Sequence, residues 1–210
     1  MMVRSAGFAC MVAGAALLLH SGAERARSAA WQVAGAGLFQ TTVGAPPCPA
    51  RDLPPAASRS ARRRGDPVAR LRAPRLGIDT VIAEGTDPKT LARGPGHMEG
   101  SGMPGEADNC IFAGHRDAVF ARLVDARPGD LLEVVSDDGS FDYRVVSVEV
   151  VDQKDTRPLH PESRSWLTLV TCYPLDSVGP APWRLVVKAE GSGARPAVRP
   201  GSQAPAAGAF

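Results

Sequence analysis

The sequence predicts an all-β domain, a barrel or sandwich, over residues 66–190, preceded by an N-terminal hydrophobic helix. Three observations lead there. Short β-branched runs recur through this region, turn signals separate them, and no long amphipathic helix interrupts them.

The N-terminal element comes first. Residues 5–23 carry no formal charge and contain the run Phe8-Ala-Cys-Met-Val-Ala-Gly-Ala-Ala-Leu-Leu-Leu19. That length suits a single membrane-spanning helix, or the core of a signal peptide with Ser21-Gly22-Ala23 as a small-x-small cleavage site. Residues 1–28 are therefore read as signal-anchor or signal peptide, and both readings export the downstream domain. Residues 29–66 read as an Ala-, Pro- and Arg-rich linker, with Trp31, Val33, Leu38 and Phe39 as apolar points of a continuing helix. The predicted strands are Val68–Arg72, Asp79–Ala83, Asn109–Ala113, Asp130–Val135, Phe141–Val151, Trp166–Thr171 and Trp183–Lys188. Ser136-Asp-Asp-Gly-Ser140 reads as a hairpin turn, and Ala118–Asp125 as one or two helical turns. The domain is bounded at 67–190, and Gly191–Phe210, almost free of large apolar residues, reads as a disordered tail.

Composition excludes little. The net charge of +2 gives no general case for nucleic-acid binding. Arginines 51, 59, 62, 63, 64, 70, 72 and 75 form a basic stretch that reads as a solvated linker before it reads as a patch for phosphates or an anionic membrane. Cysteines 10, 48, 110 and 172 form no CxxC pair and no Cys/His ligand spacing, so they read as free thiols rather than a zinc site or disulfide framework.

Three polar residues stand at predicted strand ends, where a rigid sheet commonly displays reactive groups. His115 follows Asn109–Gly114, Cys172 closes Leu167–Thr171, and Arg184 opens the last strand. A thiol near pKa ~8.5 is mostly protonated at neutral pH, and a neighbouring imidazole can take and return its proton. A guanidinium can stabilise the oxyanion of a tetrahedral intermediate. Residue chemistry alone leaves a second reading open for each, since a strand-end cysteine is often a small buried hydrophobe and a turn histidine often structural.

The surrounding residues carry a resemblance. Thr168-Leu-Val-Thr-Cys-Tyr-Pro174 resembles the TLxTC signature of sortases, Ala113-Gly-His-Arg-Asp117 their histidine motif, and Trp183-Arg-Leu-Val-Val187 their arginine strand. Leu91-Ala-Arg-Gly-Pro-Gly-His97 with Gly102-Met-Pro-Gly105 resembles class D sortases, nearest the Gram-negative branch called class GN. The resemblance implies a closed eight-stranded sortase barrel. It implies a cysteine transpeptidase that cleaves a Leu-Pro-x-Thr-Gly-like C-terminal sorting signal of an exported protein through a thioacyl-enzyme and passes it to an amine-bearing acceptor. Cys172 would be nucleophile, His115 general acid/base and Arg184 the oxyanion group. The partners are then the signal-bearing protein, the amine, and the membrane through the N-terminal helix, with no nucleic acid. The location is a single-pass inner-membrane protein with its catalytic domain on the periplasmic side. No cofactor or metal is implied, and Asp137-Asp138 belongs to the hairpin turn.

Four further residues are candidates for substrate binding. His97, in the loop before the histidine strand, reads first as a loop-packing residue and second as groove lining; Thr171 is placed to hydrogen-bond near the nucleophile or substrate, and Tyr173 and Trp183 are groove walls or barrel caps. Cys110 reads as an inert core residue and His160 as solvent-facing. Two rivals stand beside the transpeptidase. An L,D-transpeptidase requires Gly before Cys and Arg two residues after, whereas Thr171 and Pro174 flank Cys172 here. A non-enzymatic periplasmic β-barrel module would simply bury Cys172.

Overall fold

The computed structural model describes residues 2–39, 62–177 and 179–196. Eight strands close a barrel in the order β1-β2-β3-β4-β7-β8-β6-β5. They are β1 (Pro67–Ala73), β2 (Ile78–Glu84), β3 (Gly96–His97), β4 (Asn109–Gly114), β5 (Leu131–Ser136), β6 (Gly139–Asp152), β7 (Trp166–Tyr173) and β8 (Trp183–Pro196). All seven anticipated strands are present. The additional one, β3, has only two residues, too few for any periodicity to show.

Alternation along each strand builds the core. Leu167 and Leu169 of β7, Leu185, Val187 and Ala189 of β8, and Phe141, Tyr143 and Val145 of β6 all point inward and are buried. Each large side chain so buried stabilises the fold by about 1.5–3 kcal/mol before conformational entropy is counted. Cys110 and Phe112 of β4 join the same cluster, so Cys110 is the buried core residue its strand position suggested. The hairpin between β5 and β6 turns at Asp137 and Asp138, with Ser136 paired to Gly139. Residues Val119–Asp125 form a 3₁₀ segment that drives Phe120 and Leu123 into the core.

The structure sharpens three sequence readings. Helix α1 runs Met2–Leu38, so the helix anticipated through Trp31, Val33 and Leu38 occupies the first part of the 29–66 segment. Its last turns dock on the barrel. Gln32 accepts from Val81 N at 2.7 Å and donates to Val81 O at 3.1 Å, filling both backbone positions of a β2 residue that no neighbouring strand covers on that side. Ser28 donates to Arg93 O at 2.8 Å, and Phe39 is buried with Val81 and Val135.

The described part of the basic stretch, from Arg62 on, is largely ion-paired. Arg64 pairs with Glu99, Arg70 with Asp79, Arg72 with Glu133 and Arg75 with Asp130. The Arg75 guanidinium holds the Asp130 carboxyl below the usual carboxylate range. Finally, β8 continues past Glu190 to Pro196, because residues 191–196 extend the antiparallel ladder along Gly139–Tyr143 of β6. Backbone pairing needs no apolar side chains, which is why composition marked this stretch as tail. The remainder of that tail, Cys48 and most of the linker lie outside the described residues, as do the side chains of residues 2–10. Among the described residues no helix is long and apolar enough to cross a membrane, so the structure does not support the expected anchor.

The docking of α1 makes a specific prediction. Gln32→Leu strands the Val81 amide and carbonyl, and should lower unfolding free energy by about 1–3 kcal/mol in urea titration. An unchanged midpoint and slope would mean that the helix adds nothing to barrel stability.

Candidate active site

Strands β4 and β7 run parallel, with Gly114 opposite Thr171 as the last paired step. One residue further along each strand stand His115 and Cys172. Strands β7 and β8 run antiparallel, and Cys172 lies directly opposite Arg184. Val151 of β6 is in turn opposite Arg184. Adjacent strands are about 4.8 Å apart, so His115, Cys172 and Arg184 form one short row across the barrel rim.

Alternation puts this row on the outer face, because Thr171 and Leu185, the neighbours of Cys172 and Arg184, are buried on the inner one. Cys172 is a free, half-buried thiol, and His115 is exposed. Nη1 of Arg184 donates to Ala181 O at 3.1 Å and Trp183 O at 2.9 Å, and no carboxylate pairs with it among the described residues. Its other N–H groups remain for a ligand in the row.

This row and the next ones of the outer face line a cleft of about 210 Å³. Ser147, Glu149 and Val151 of β6 and Val186 and Lys188 of β8 form its floor and sides, beneath Asp155, Arg157 and Pro158 of the β6–β7 connection. Hydrogen bonds from Arg157 lower the Asp155 carboxyl to about 2. Lys188 is held by Glu162 at 2.6 Å and lies over the Trp166 ring. The cleft reaches the row of Arg184, since Val151 lies opposite Arg184 and Val186 is the next residue along β8 on the same face.

For each of the four substrate candidates the structure favours the structural one of the two roles the sequence leaves open. Thr171 is buried, and its hydroxyl donates to Gly114 O at 2.9 Å, a tie between strand ends rather than a substrate contact. Tyr173 and Trp183 face each other across β7 and β8, on the opposite side from Cys172 and Arg184 by alternation. They cap the barrel mouth, where Tyr173 packs against the core and Trp183 stays 47% exposed.

His97 is 2% exposed and has no ring nitrogen left for a substrate. Its Nε2 donates to Gly102 O at 3.0 Å, and its Nδ1 lies 3.1 Å from the Glu84 carboxylate. It ties β3 to β2 and to the loop before β4. Sequence reasoning missed the cleft residues. Alternate positions forward from Arg184 along the last strand are Val186 and Lys188, which is the signal that points to them.

A profile of the sortase domain matches residues 71–192, more than half of the chain. The chain belongs to the sortase family. Sortase D of Bacillus subtilis (strain 168) is 36% identical over 118 residues, 56% of this chain and 60% of that protein. The chain thus spans less than two thirds of that relative. Among solved structures, the sortase D5 transpeptidase of Clostridium perfringens is 31% identical with a TM-score of 0.58, over 63% of this chain and 82% of that one. C. perfringens sortase C, solved with the C-terminal cell wall sorting motif, is 25% identical with a TM-score of 0.57, over 63% and 74%. The eight-stranded closed barrel is the sortase fold, and the likeness is to class D.

Within this sortase barrel, His97 serves architecture. His97→Leu leaves the buried Glu84 carboxylate without its partner and should cost about 3–5 kcal/mol of stability. Calorimetry showing a loss under about 1 kcal/mol would contradict that assignment.

Proposed function

We propose that the chain is a cysteine transpeptidase acting on a Leu-Pro-x-Thr-Gly-like sorting signal of an exported protein. The observation that carries this reading is the row of His115, Cys172 and Arg184 on one outer face, adjoining a cleft of about 210 Å³. The cleft's apolar residues, Val151, Pro158 and Val186, suit the Leu-Pro part of such a signal, and its charged rim suits the polar backbone. The relative solved with a cell wall sorting motif supports a peptide ligand for this fold.

The chemistry divides among the three residues. Cys172 Sγ bonds to the Thr carbonyl carbon of the signal, and the tetrahedral oxyanion is met by Arg184 N–H groups. The Thr–Gly bond then breaks, with His115 giving a proton to the departing amine. An amine acceptor attacks the thioester, His115 takes its proton, and the Cys172 thiolate leaves. Water in place of the amine gives hydrolysis, the endopeptidase outcome.

The proposal places the barrel outside the cytoplasm, on the periplasmic side of an inner membrane. It rests that location on the uncharged run of residues 5–23 as leader or single-pass anchor. Membership of the Gram-negative branch rests on the loop motifs around Gly94–His97 and Gly102–Gly105.

Incubating the full chain with such a peptide should give a thioester adduct visible by intact mass. Cys172→Ala should give none, and an adduct persisting in that variant would remove Cys172 from its role. Arg184→Lys should slow acylation by about 10²–10³-fold, because an ammonium cannot both hold the Ala181 and Trp183 carbonyls and face the oxyanion. Acylation within threefold of wild type would assign oxyanion stabilisation elsewhere.

A further inference from the structure

Arg116 follows His115 in the turn after β4, yet its side chain leaves that turn. Nη1 donates to the Ser177 hydroxyl at 2.7 Å and to Pro174 O at 3.2 Å, while Nη2 donates to Gly179 O at 2.8 Å. Ser177 Oγ donates in turn to Pro174 O at 3.3 Å. All three acceptors lie in the connection from β7 to β8, which begins just after Cys172-Tyr173 and ends just before Arg184.

No carboxylate pairs with Arg116 among the described residues, and its guanidinium is half-buried. Its charge is therefore spent on neutral acceptors of one loop. A planar fork with fixed N–H directions can engage three such acceptors at once, which a single ammonium cannot.

The position of this clamp matters because the backbone ladder stops short of the reactive groups. Pairing between β4 and β7 ends at Gly114 and Thr171. Beyond that step the His115 turn has one backbone bond of its own, Ala118 N to His115 O at 3.4 Å. Arg116 supplies the tie from that turn to the nucleophile side of the rim. A structural arginine serving only the barrel would be expected to bond within the sheet or to a carboxylate, as Arg70, Arg72 and Arg75 do.

We propose that Arg116 is a positioning residue for the transpeptidase reaction: it clamps the turn carrying His115 to the β7–β8 connection, and so holds His115, Cys172 and Arg184 in one row. The inference rests on the roles proposed for those three residues. Arg116 touches no reacting atom; it acts through the loops on either side of the nucleophile. Displacement of a reacting group by about 1 Å can cost about 10²-fold in rate, so a modest loosening suffices.

The test measures thioester formation by the full chain against concentration of a Leu-Pro-x-Thr-Gly peptide, for wild type, Arg116→Met, Arg116→Lys and Ser177→Ala, with Tm measured for each. The maximal acylation rate should fall about tenfold or more in Arg116→Met, with peptide KM changed by less than about threefold. Arg116→Lys should restore little of that rate, and Ser177→Ala should lose a few-fold. Adding Ser177→Ala to Arg116→Met should cost nothing more, since both act through one clamp.

Wild-type acylation by a folded Arg116→Met protein would overturn the inference. So would a rate loss expressed wholly in KM, or full restoration by Arg116→Lys. If Arg116→Met fails to fold, Arg116→Lys and Ser177→Ala decide by the same criteria, and wild-type rates in both overturn it. A wild-type protein that forms no thioester sinks the transpeptidase reading itself, a result distinct from an active wild type whose Arg116 variants are equally active.

Discussion

The parallel alignment of β4 and β7 is the constraint on which the site depends. Parallel neighbours need a long crossover, and here the chain makes it through residues 115–165, contributing β5 and β6 to the far side of the barrel on the way. Because both strands run the same way, they reach the same rim, and the residues after Gly114 and Thr171 emerge side by side. Had the pairing been antiparallel, the six residues of β4 would have carried His115 about 20 Å from Cys172. β8 then enters antiparallel to β7, so its opening residues, Arg184 among them, lie at that rim too.

The other end of the β4–β7 pair fixes the cleft. Asn109 is buried, and its amide is fully used: Oδ1 accepts from Thr168 Oγ1 at 2.7 Å, while Nδ2 donates to Pro158 O at 2.9 Å and His160 O at 3.0 Å. One side chain thus binds β4 to β7 and both to the connection that overhangs the cleft. At the rim, Gly114 fills the corresponding role by lacking a side chain. A Cβ there would stand 2.7 Å from the Phe120 ring, which closes the core beneath the His115 turn. The glycine before the histidine is therefore a packing requirement at the point where the row of His115, Cys172 and Arg184 leaves the sheet.

How much of this was legible in the sequence depends on the kind of signal. Strands with alternating or β-branched residues were readable because burial imposes that pattern, and the row of His115, Cys172 and Arg184 followed from strand ends and motif. Elements held by backbone pairing alone were not: β3 has two residues, and residues 191–196 of β8 contain little that is apolar. The substrate candidates keep two roles open in the sequence for a different reason. Thr171, Tyr173 and Trp183 adjoin Cys172 and Arg184, but in a strand the immediate neighbour faces the other way, which only the register shows. His97 lies in a glycine-rich loop, and its partner Glu84 lies 13 residues earlier, beyond what local pattern reveals. Arg116 sat inside a quoted motif without a role because its acceptors lie 58–63 residues on.

The docking of α1 bears on how the site is presented. Its contacts are with Val81 of β2, with Arg70 of β1, which donates to Ala36 O, and with Val135 of β5. In an eight-stranded ring ordered β1-β2-β3-β4-β7-β8-β6-β5, β2 and β8 are diametrically opposed. The helix and the row of His115, Cys172 and Arg184 therefore occupy opposite walls. Gln32 bonds to both the amide and the carbonyl of Val81, and Phe39 packs below it, so the last turns of the helix are fixed to the barrel rather than hinged on it. The closed barrel thus does two things at once: it brings His115, Cys172 and Arg184 to one rim, and it docks the end of α1 on the wall farthest from them.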